Sequence, residues 1–551
     1  MMLTALLVLL PLAVLFFGKQ SRGEKTKPPP RLNETIPFVS NLWQFMTNKR
    51  FFITRARTAL QESPVVRCRL GPLDLHLVGG GNNASAIFRA SCHSDPWILR
   101  IMQSAGYMPA DIATLTKDDS GRGTIPRPGS TANAAGIALD QRIWHALHRM
   151  YDENLVSTQS ADALANHFQT AFHQQLVAAP APPPPVGGGE EWVDDVHIFG
   201  TLRRTMATAA THAVLGSLIL DVNPGFVDAF WEYERYVETL EFGLPEWLNR
   251  SAVRARARFR DMCRRWYEVA DRTYDWAADD ASDTNWEPAF GSPVSRGLAR
   301  WAKSFGFSAD TMGPLFMLFI FGLHANAITI STWIVMELVK DPDLFRAVKD
   351  EVSRAESNTR NDSTARTFDH RKLTSLPLLQ SVYTEVMRLR VGVLITRTST
   401  EPVTVAEYTL PKGSIFQAPT EAGHLDEAVW STAEHPASDF WAYRQVTEKE
   451  TRDETTGQIS KELEFSFGRR SGSWFPFGGG LNMCPGRNFA KPEVFLAVAT
   501  VISNFEIEYV AWLKPDGSPS KRPAQNDANY ASAVAAVPDR ELKVRWRKIK
   551  D

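Results

Sequence analysis

Of the four cysteines, Cys68, Cys92, Cys263 and Cys484, one has neighbours suited to chemistry. Cys484 lies in residues 476–490, PFGGGLNMCPGRNFA, a glycine-dense loop that runs into a helical pattern. A thiol placed there meets backbone N–H groups and the positive end of a helix, both of which favour the thiolate. Hydrogen bonds to the sulfur then tune its donation to a metal. Gly478, Gly479, Gly480 and Gly486 admit conformations and close approaches denied to other residues, so the loop can lie flat against a planar cofactor. Inert packing is the ordinary fate of an isolated cysteine, and Cys68, in an alternating strand pattern, fits that description. Four scattered cysteines form no disulfide scaffold and suit a reducing compartment.

Two other places carry reactive residue types. In YTEVMRLR, Glu385 and Arg388 are three apart and share one helix face; taken alone, they read as a solvated surface pair. Residues 308–340 form a long, largely apolar helical pattern stopped by Asp341-Pro342. It is long enough to cross a membrane, yet His324 and Asn326 near its middle suit a helix that crosses a buried site. Asn326 offers an amide donor and acceptor for a water, and Thr329 a hydroxyl further along the helix. His324 reads either as a distal ligand or proton donor, or as a packed core histidine.

These residues need a scaffold. The chain has 551 residues, 44% hydrophobic and 22% charged, which excludes a mainly disordered, collagenous or coiled-coil protein. Sixty-one Lys and Arg face 62 Asp and Glu, so no strong field draws it to nucleic acid. The first 17 residues, MMLTALLVLLPLAVLFF, are uncharged and are followed by Lys19, Arg22, Lys25 and Lys27. Basic residues after the apolar run, with no clear small-x-small site, predict an uncleaved anchor whose following body is cytosolic. A cleavable signal peptide is the alternative. With the body cytosolic, the sequons at Asn33, Asn83, Asn249 and Asn361 would stay unmodified; they would be acceptors only in a luminal body. Pro28, Pro29 and Pro30 make a stiff spacer. Alternation on both sides of Gly71-Pro72 predicts two strands within 65–78, and strand patterns recur at 505–510 and 542–547. Helical spacing covers 141–178, 197–219, 225–242, 251–277, 308–340, 343–356 and 376–390, so the body is mainly α with small β-sheets. The proline-rich segment 179–191 reads as a surface-loop insertion rather than a domain linker.

Phe477-x-x-Gly480-x-x-x-Cys484-x-Gly486 resembles the haem-binding loop of the cytochrome P450 family. The resemblance implies haem b, with Cys484 as the axial iron ligand and Phe477, Gly480 and Gly486 shaping its loop. Glu385 and Arg388 match the family's E-x-x-R, and DFWAYRQ (439–445) supplies a second arginine, Arg444, for a structural ionic network, with Ala442 where a proline is usual. The W-x-x-x-R segment corresponds to Trp144 and His148, followed by Arg149, and Arg397 matches a second propionate-binding position. Two departures stand out: Asn482 replaces a basic residue, and Ala325 and Asn326 replace the acid and threonine of the oxygen-activation segment. Asn326 and Thr329 are therefore the catalytic candidates for holding water. Both asparagines resemble the branch with sterol 7-alpha-hydroxylases and prostacyclin synthases, which holds hydroxylases and an isomerase. Val393, Leu394 and Ile395 match pocket-lining positions, with plain core packing as the alternative; the 219–250 segment resembles the access roof.

The resemblance implies a cytochrome P450 fold with three parts: a transmembrane anchor at 1–18, a basic and Pro-rich linker at 19–31, and a single catalytic domain at 32–551. The expected function is a haem-thiolate monooxygenase using O2 and electrons from NADPH-cytochrome P450 reductase. It would oxidise an apolar terpenoid, steroid-like or secondary-metabolite substrate as a monomer held to the endoplasmic reticulum membrane by one span, with the catalytic domain cytosolic and no nucleic-acid partner. A haem-thiolate isomerase or dehydratase working without O2 or NADPH, and a non-catalytic haem carrier or sensor, are the alternatives.

Overall fold

The computed structural model describes residues 28–177, 192–241, 246–278, 286–357, 366–452, 459–530 and 534–549. The anchor, most of the linker and the 179–191 segment lie outside the described residues, as do Asn361 and part of the expected roof at 242–245.

The first sheet grows from the expected alternation. Strands β1 (Val65–Leu70) and β2 (Leu73–Val78) pair antiparallel, turning at Gly71, whose φ of 60° lies in the left-handed region that favours glycine. Three further strands extend the sheet: β3 (Cys92–His93), β5 (Leu394–Ser399) and β8 (Ile415–Pro419), in the order β1-β2-β8-β5-β3. Between β5 and β8 in the chain, β6 (Val403–Val405) and β7 (Tyr408–Leu410) form a separate hairpin. A second sheet joins β4 (Val193–His197), β11 (Phe505–Leu513), β12 (Pro519–Ser520) and β13 (Glu541–Lys548). The pairing of β11 with β13 meets the expectation at the C-terminus. Strand β4 and the hairpin β9 (Val446–Arg452) with β10 (Ile459–Phe465) were not predicted. They are rich in charged and polar residues and carry little apolar alternation.

Helices make up most of the body. Those that position the site are α1 (Ile143–Tyr151), α2 (Thr158–Leu176), α3 (Ile198–Leu215), α4 (Ala309–His324), α5 (Ala327–Lys340), α6 (Pro377–Arg390) and α7 (Arg487–Asn504). The long apolar pattern at 308–340 is one helical run interrupted at Ala325–Asn326. Two thirds of its most apolar window is buried inside the protein, so it serves as a core helix rather than a second membrane span. Together with α2, α3 and α7 it forms the centre of the main hydrophobic cluster, around Phe168, Met206, Ile328, Trp333 and Leu496. Helix α6 starts at Pro377 without a cap of its own; the Glu351 carboxylate accepts from Leu378 N at 2.9 Å and Leu379 N at 2.8 Å, satisfying donors that a helix start leaves open.

Candidate functional site

The glycines of the cysteine loop divide by what they do. Gly478 and Gly480 have φ of 73° and 65°. A Cβ on Gly479 would meet the Phe88 ring at 2.3 Å, and one on Gly480 the Phe88 carbonyl oxygen at 2.3 Å. No side chain fits there, so the loop packs flush on the backbone of a neighbouring helix. Gly486 differs: its φ is −71° and a Cβ would sit 3.8 Å from the Cys484 sulfur, so neither backbone angle nor sulfur demands glycine. What residue 486 contributes is its N–H, directed with that of Arg487 at the thiol. Cys484 N donates to Phe477 O at 3.0 Å, closing the loop. Burial pushes the Cys484 thiol up, and the two N–H groups and the Arg487 charge pull the other way without cancelling it. A metal would displace that proton. Cys484 alone among the four cysteines is solvent-accessible, although the surrounding protein desolvates its thiol. The other three are inert: burial raises Cys68 to about 12, Cys92 to about 11 and Cys263 well above its usual value.

The expected ionic network is assembled. Arg388 binds Glu385 with both forks, Nε to Oε1 and Nη2 to Oε2 at 2.8 Å each, and Arg444 Nε reaches Oε2 at 3.0 Å. All three side chains have 0% exposure, which rules out the surface-pair reading. The remaining donors are spent on backbone carbonyls: Arg388 on His424, Ala437 and Asp439, and Arg444 on Trp430, His435, Pro436 and Asp439. Burial opposes ionisation of Glu385, but the hydrogen bonds and charge of Arg388, then the charge of Arg444, hold its carboxyl below the usual range. His424 links this network to the loop. Its carbonyl accepts from Arg388 at 2.9 Å while its Nε2 accepts from Phe475 N at 3.1 Å. Burial keeps that imidazole neutral by pushing it down to about 3. No spacing in the sequence announces His424.

A second group of cations faces the cleft. Arg397 sits on the buried face of β5 between Ile395 and Ser399, bonded to Ser94 Oγ and, at 3.4 Å, to Gly479 O of the loop. Burial and the nearby Arg122 charge lower it to about 10. Arg122 itself lies 5.4 Å from the Trp144 ring centroid, lowered by burial although Asp95 is 3.7 Å away, and its Nε is buried without a hydrogen-bond partner. His148 feels Arg122 and Arg487 and is lowered, chiefly by burial. Asp95 gives Oδ2 to His93 and Arg127, while its Oδ1 makes no hydrogen bond and faces the Arg122 Nε at 3.7 Å. Three guanidinium groups, Arg122, Arg127 and Arg397, thus share the Asp95 carboxylate, and the buried Arg122 Nε makes no hydrogen bond.

Other expectations change. Trp144 is buried, and its indole N–H donates to Leu115 O at 3.1 Å, so it supports Arg122 from behind instead of clamping a carboxylate. Arg149 pairs with Glu153 on the surface. His148 lies 3.4 Å from Asp152. Sequence reasoning missed Arg122 because it stands in the irregular stretch 118–130, whose backbone is pinned by Arg142 through the carbonyls of Gly121, Gly123 and Thr124.

On the opposite wall, His324 is a packed core residue: its Nε2 is 3.0 Å from Thr211 Oγ, Phe230 lies against it, and burial lowers it to about 3. Thr329 is buried and its hydroxyl donates to Ala325 O at 2.9 Å, so that proton is not free for the cleft. Asn326 Oδ1 accepts from Ala535 N at 2.8 Å, which leaves its N–H2 to act as donor. The 534–537 segment it holds is also tied by Trp333 Nε1 to Ala536 O at 2.8 Å and by Ala536 N to Arg390 O at 2.7 Å. Alternation along β5 separates the three pocket candidates: Leu394 packs into the Phe45, Phe52 and Val66 cluster, whereas Ile395 packs with Phe475 and Ala84. Val393 borders both that loop cluster and the main core.

The residues fit a haem-sized group with two carboxylates: an accessible thiol with N–H groups aimed at it, a loop flattened by glycine, and buried cations with a spare donor. The comparisons agree. The sequence profile described as Cytochrome P450 matches residues 240–522. The chain is 38% identical over 532 residues to cytochrome P450 monooxygenase calL of Penicillium decumbens, covering 96% of this chain and 94% of that protein. It is 28% identical over 513 residues to cytochrome P450 monooxygenase fsoE of Humicola fuscoatra, covering 89% and 84%. Cholesterol 7-alpha-monooxygenase of Cricetulus griseus is 28% identical over 196 residues, only 34% of this chain and 36% of that protein, so likeness to that branch is weak. The retinoic acid-bound cyanobacterial CYP120A1 structure shares the fold, with a TM-score of 0.63 at 16% identity over 96% of this chain and all of that one.

Proposed function

Because this chain belongs to the cytochrome P450 family, we propose that it oxidises an apolar terpenoid, steroid-like or other secondary-metabolite substrate, using haem b and electrons from NADPH-cytochrome P450 reductase. It is a haem-thiolate monooxygenase, which takes O2 and electrons from a redox partner. The balance is one C–H bond, one O2, two electrons and two protons, giving one C–OH and one water. Relatives named as monooxygenases disfavour the isomerase and carrier alternatives.

When bound, haem with a thiolate ligand supplies the activation of O2 toward C–H bonds. The chain's residues do the rest. Cys484 would be the ligand, and the N–H groups of Gly486 and Arg487, directed at its sulfur, would moderate its charge. Arg122 and Arg397 would neutralise the carboxylates, and His148, whose charged form burial disfavours, would offer them a hydrogen bond. Asn326, its oxygen anchored by Ala535, would hold a water through its amide N–H in place of the usual acid and threonine. Val393 and the 534–537 segment would wall the substrate and exclude bulk water. Residues 1–18 would anchor the chain in the endoplasmic reticulum membrane through the 19–31 linker, leaving 32–551 as one cytosolic, monomeric catalytic domain.

The observation that carries this reading is Cys484, solvent-accessible with two N–H groups directed at it. Reduced, carbon monoxide-treated protein should show the thiolate-type Soret shift, absent in Cys484→Ala. With reductase and NADPH, 18O2 should label the product of an apolar substrate. A missing shift, or product oxygen drawn from water, overturns the proposal.

A further inference from the structure

A cavity of about 300 Å3 lies apart from the substrate wall, between α6, the end of β10, the approach to the cysteine loop and the start of α7. No residue of α4, α5 or 534–537 lines it, and neither does Cys484. Six aromatic side chains do: Tyr383, Phe465, Phe467, Trp474, Phe475 and Phe477. Phe467 and Trp474 lie 5.0 Å apart between centroids, and Trp474 and Phe477 6.1 Å apart at 78°, an open run of rings rather than a closed stack.

The polar side chains of this cavity include two cations, Arg487 and Lys491, and no carboxylate, beside the Trp474 indole, the Gln380 amide and the hydroxyls of Tyr383 and Thr384. Trp474 Nε1 is buried and has no hydrogen-bond partner among the described residues, an arrangement that costs free energy unless something accepts from it. Lys491 Nζ donates to Gln380 Oε1 at 2.8 Å and keeps further N–H bonds to give. Arg487 is spent in part on Cys484 O. No Asp or Glu lines the cavity, and burial alone lowers the Lys491 ammonium to about 8. Aromatic walls accept a flat apolar body, and unpaired donors with a cation and no acid accept an anion.

We propose that this cavity is a second ligand site, which binds a flat aromatic carboxylate with its ring against Trp474 and Phe477 and its carboxylate on Lys491 and the Trp474 indole N–H. The site differs in chemistry from the substrate wall, which offers apolar contacts and one amide. It also touches Phe477, whose carbonyl holds Cys484 N, so an occupant would rest on the loop that carries the thiolate.

The test uses the full-length haem-loaded protein with an azole filling the substrate side, titrated calorimetrically with 2-naphthoate and with neutral 2-naphthamide. Naphthoate should bind saturably and more tightly than naphthamide. Lys491→Gln should weaken naphthoate about tenfold or more, as expected for loss of a charge-assisted hydrogen bond, and leave naphthamide unchanged. Trp474→Phe should weaken both, and Phe467→Ala, on the hairpin side, should do the same. Retention of the carbon monoxide spectrum verifies that each variant is folded. Naphthoate binding that is absent, unchanged in all three variants, or abolished by the azole overturns the proposal.

Discussion

Two sets of arginines flank the cysteine loop, and they are built on opposite rules. Around Glu385, every fork of Arg388 and Arg444 ends on a carboxylate or a backbone carbonyl, with nothing exposed. Around the cleft, Arg122 keeps a buried Nε without a partner, and both Arg122 and Arg397 have their pKa lowered, chiefly by burial. A saturated network is complete in the bare polypeptide and serves the fold. An unsaturated one is only partly compensated, Asp95 being shared among Arg122, Arg127 and Arg397, and its shortage indicates a ligand. Arginine count alone would not separate them; hydrogen-bond satisfaction does.

That contrast can be broken most forcefully at Glu385. Glu385→Ala leaves two buried guanidinium groups uncompensated and should cost about 3–5 kcal/mol, read as a fall in denaturant midpoint and folded yield. If the variant unfolds at the parent midpoint, the network is not structural. Arg122→Ala and Arg397→Ala should behave the other way round. Their folded state should be near parent stability, while haem transfer to apomyoglobin accelerates on the order of tenfold or more, matching about 1.5–3 kcal/mol for a hydrogen bond to a charged group. Equal destabilisation of fold and haem retention would erase the distinction.

Acid sharpens the same comparison. Glu385 is held below its ordinary value of 4.5, so its contribution is present above that value and is lost as pH falls through the depressed folded pKa. His324 and His424 are buried neutral, near 3 against an ordinary 6.5. Their unfolded forms bind protons first, and stability should decline as pH drops from about 6.5 toward 3. His324→Gln, which retains a partner for Thr211, should flatten the unfolding profile in that window; an unchanged slope would show that His324 is protonated when folded. The smallest effect belongs to Thr329→Val. Because its hydroxyl is spent on Ala325 O, stability should shift by less than about 1 kcal/mol and the ratio of product to NADPH consumed should stay at the parent value. Asn326→Ala should lower that ratio. A large fall for Thr329→Val would reassign the water-holding role.

Local chemistry was readable ahead of the structure wherever one short segment contained it. The loop from Phe477 to Gly486 includes its own glycines, thiol and N–H donors, and Glu385 with Arg388 close their fork within one helical turn. The strand pairs at 65–78 and at the C-terminus were visible because alternation marks a half-buried strand. The β9–β10 hairpin was not visible, since charged residues run through both its strands, and the alternate apolar positions of β10, Ile459, Leu463 and Phe465, are broken by Lys461 and have no matching alternation in β9. Arg122 and His424 stayed hidden for a related reason: each acts on residues far along the chain, Arg397 and Phe475 respectively, through an irregular or very short element.

The roles of the candidate residues divide along the same line. Sequence by itself determined the thiolate character of Cys484, since a thiol among glycines at a helix start has its character set by bonds to residues two and three places away, while haem followed from the motif's resemblance to a family. Only the tertiary structure decided which polar groups remain free to act. Thr329 spends its proton on its own helix, His324 Nε2 is paired with Thr211, Asn326 accepts from Ala535 with its oxygen, and Leu394 turns from Ile395 into another cluster. A side chain's hydrogen-bonding capacity is fixed by its type, but whether any is left over depends on what the folded chain places beside it.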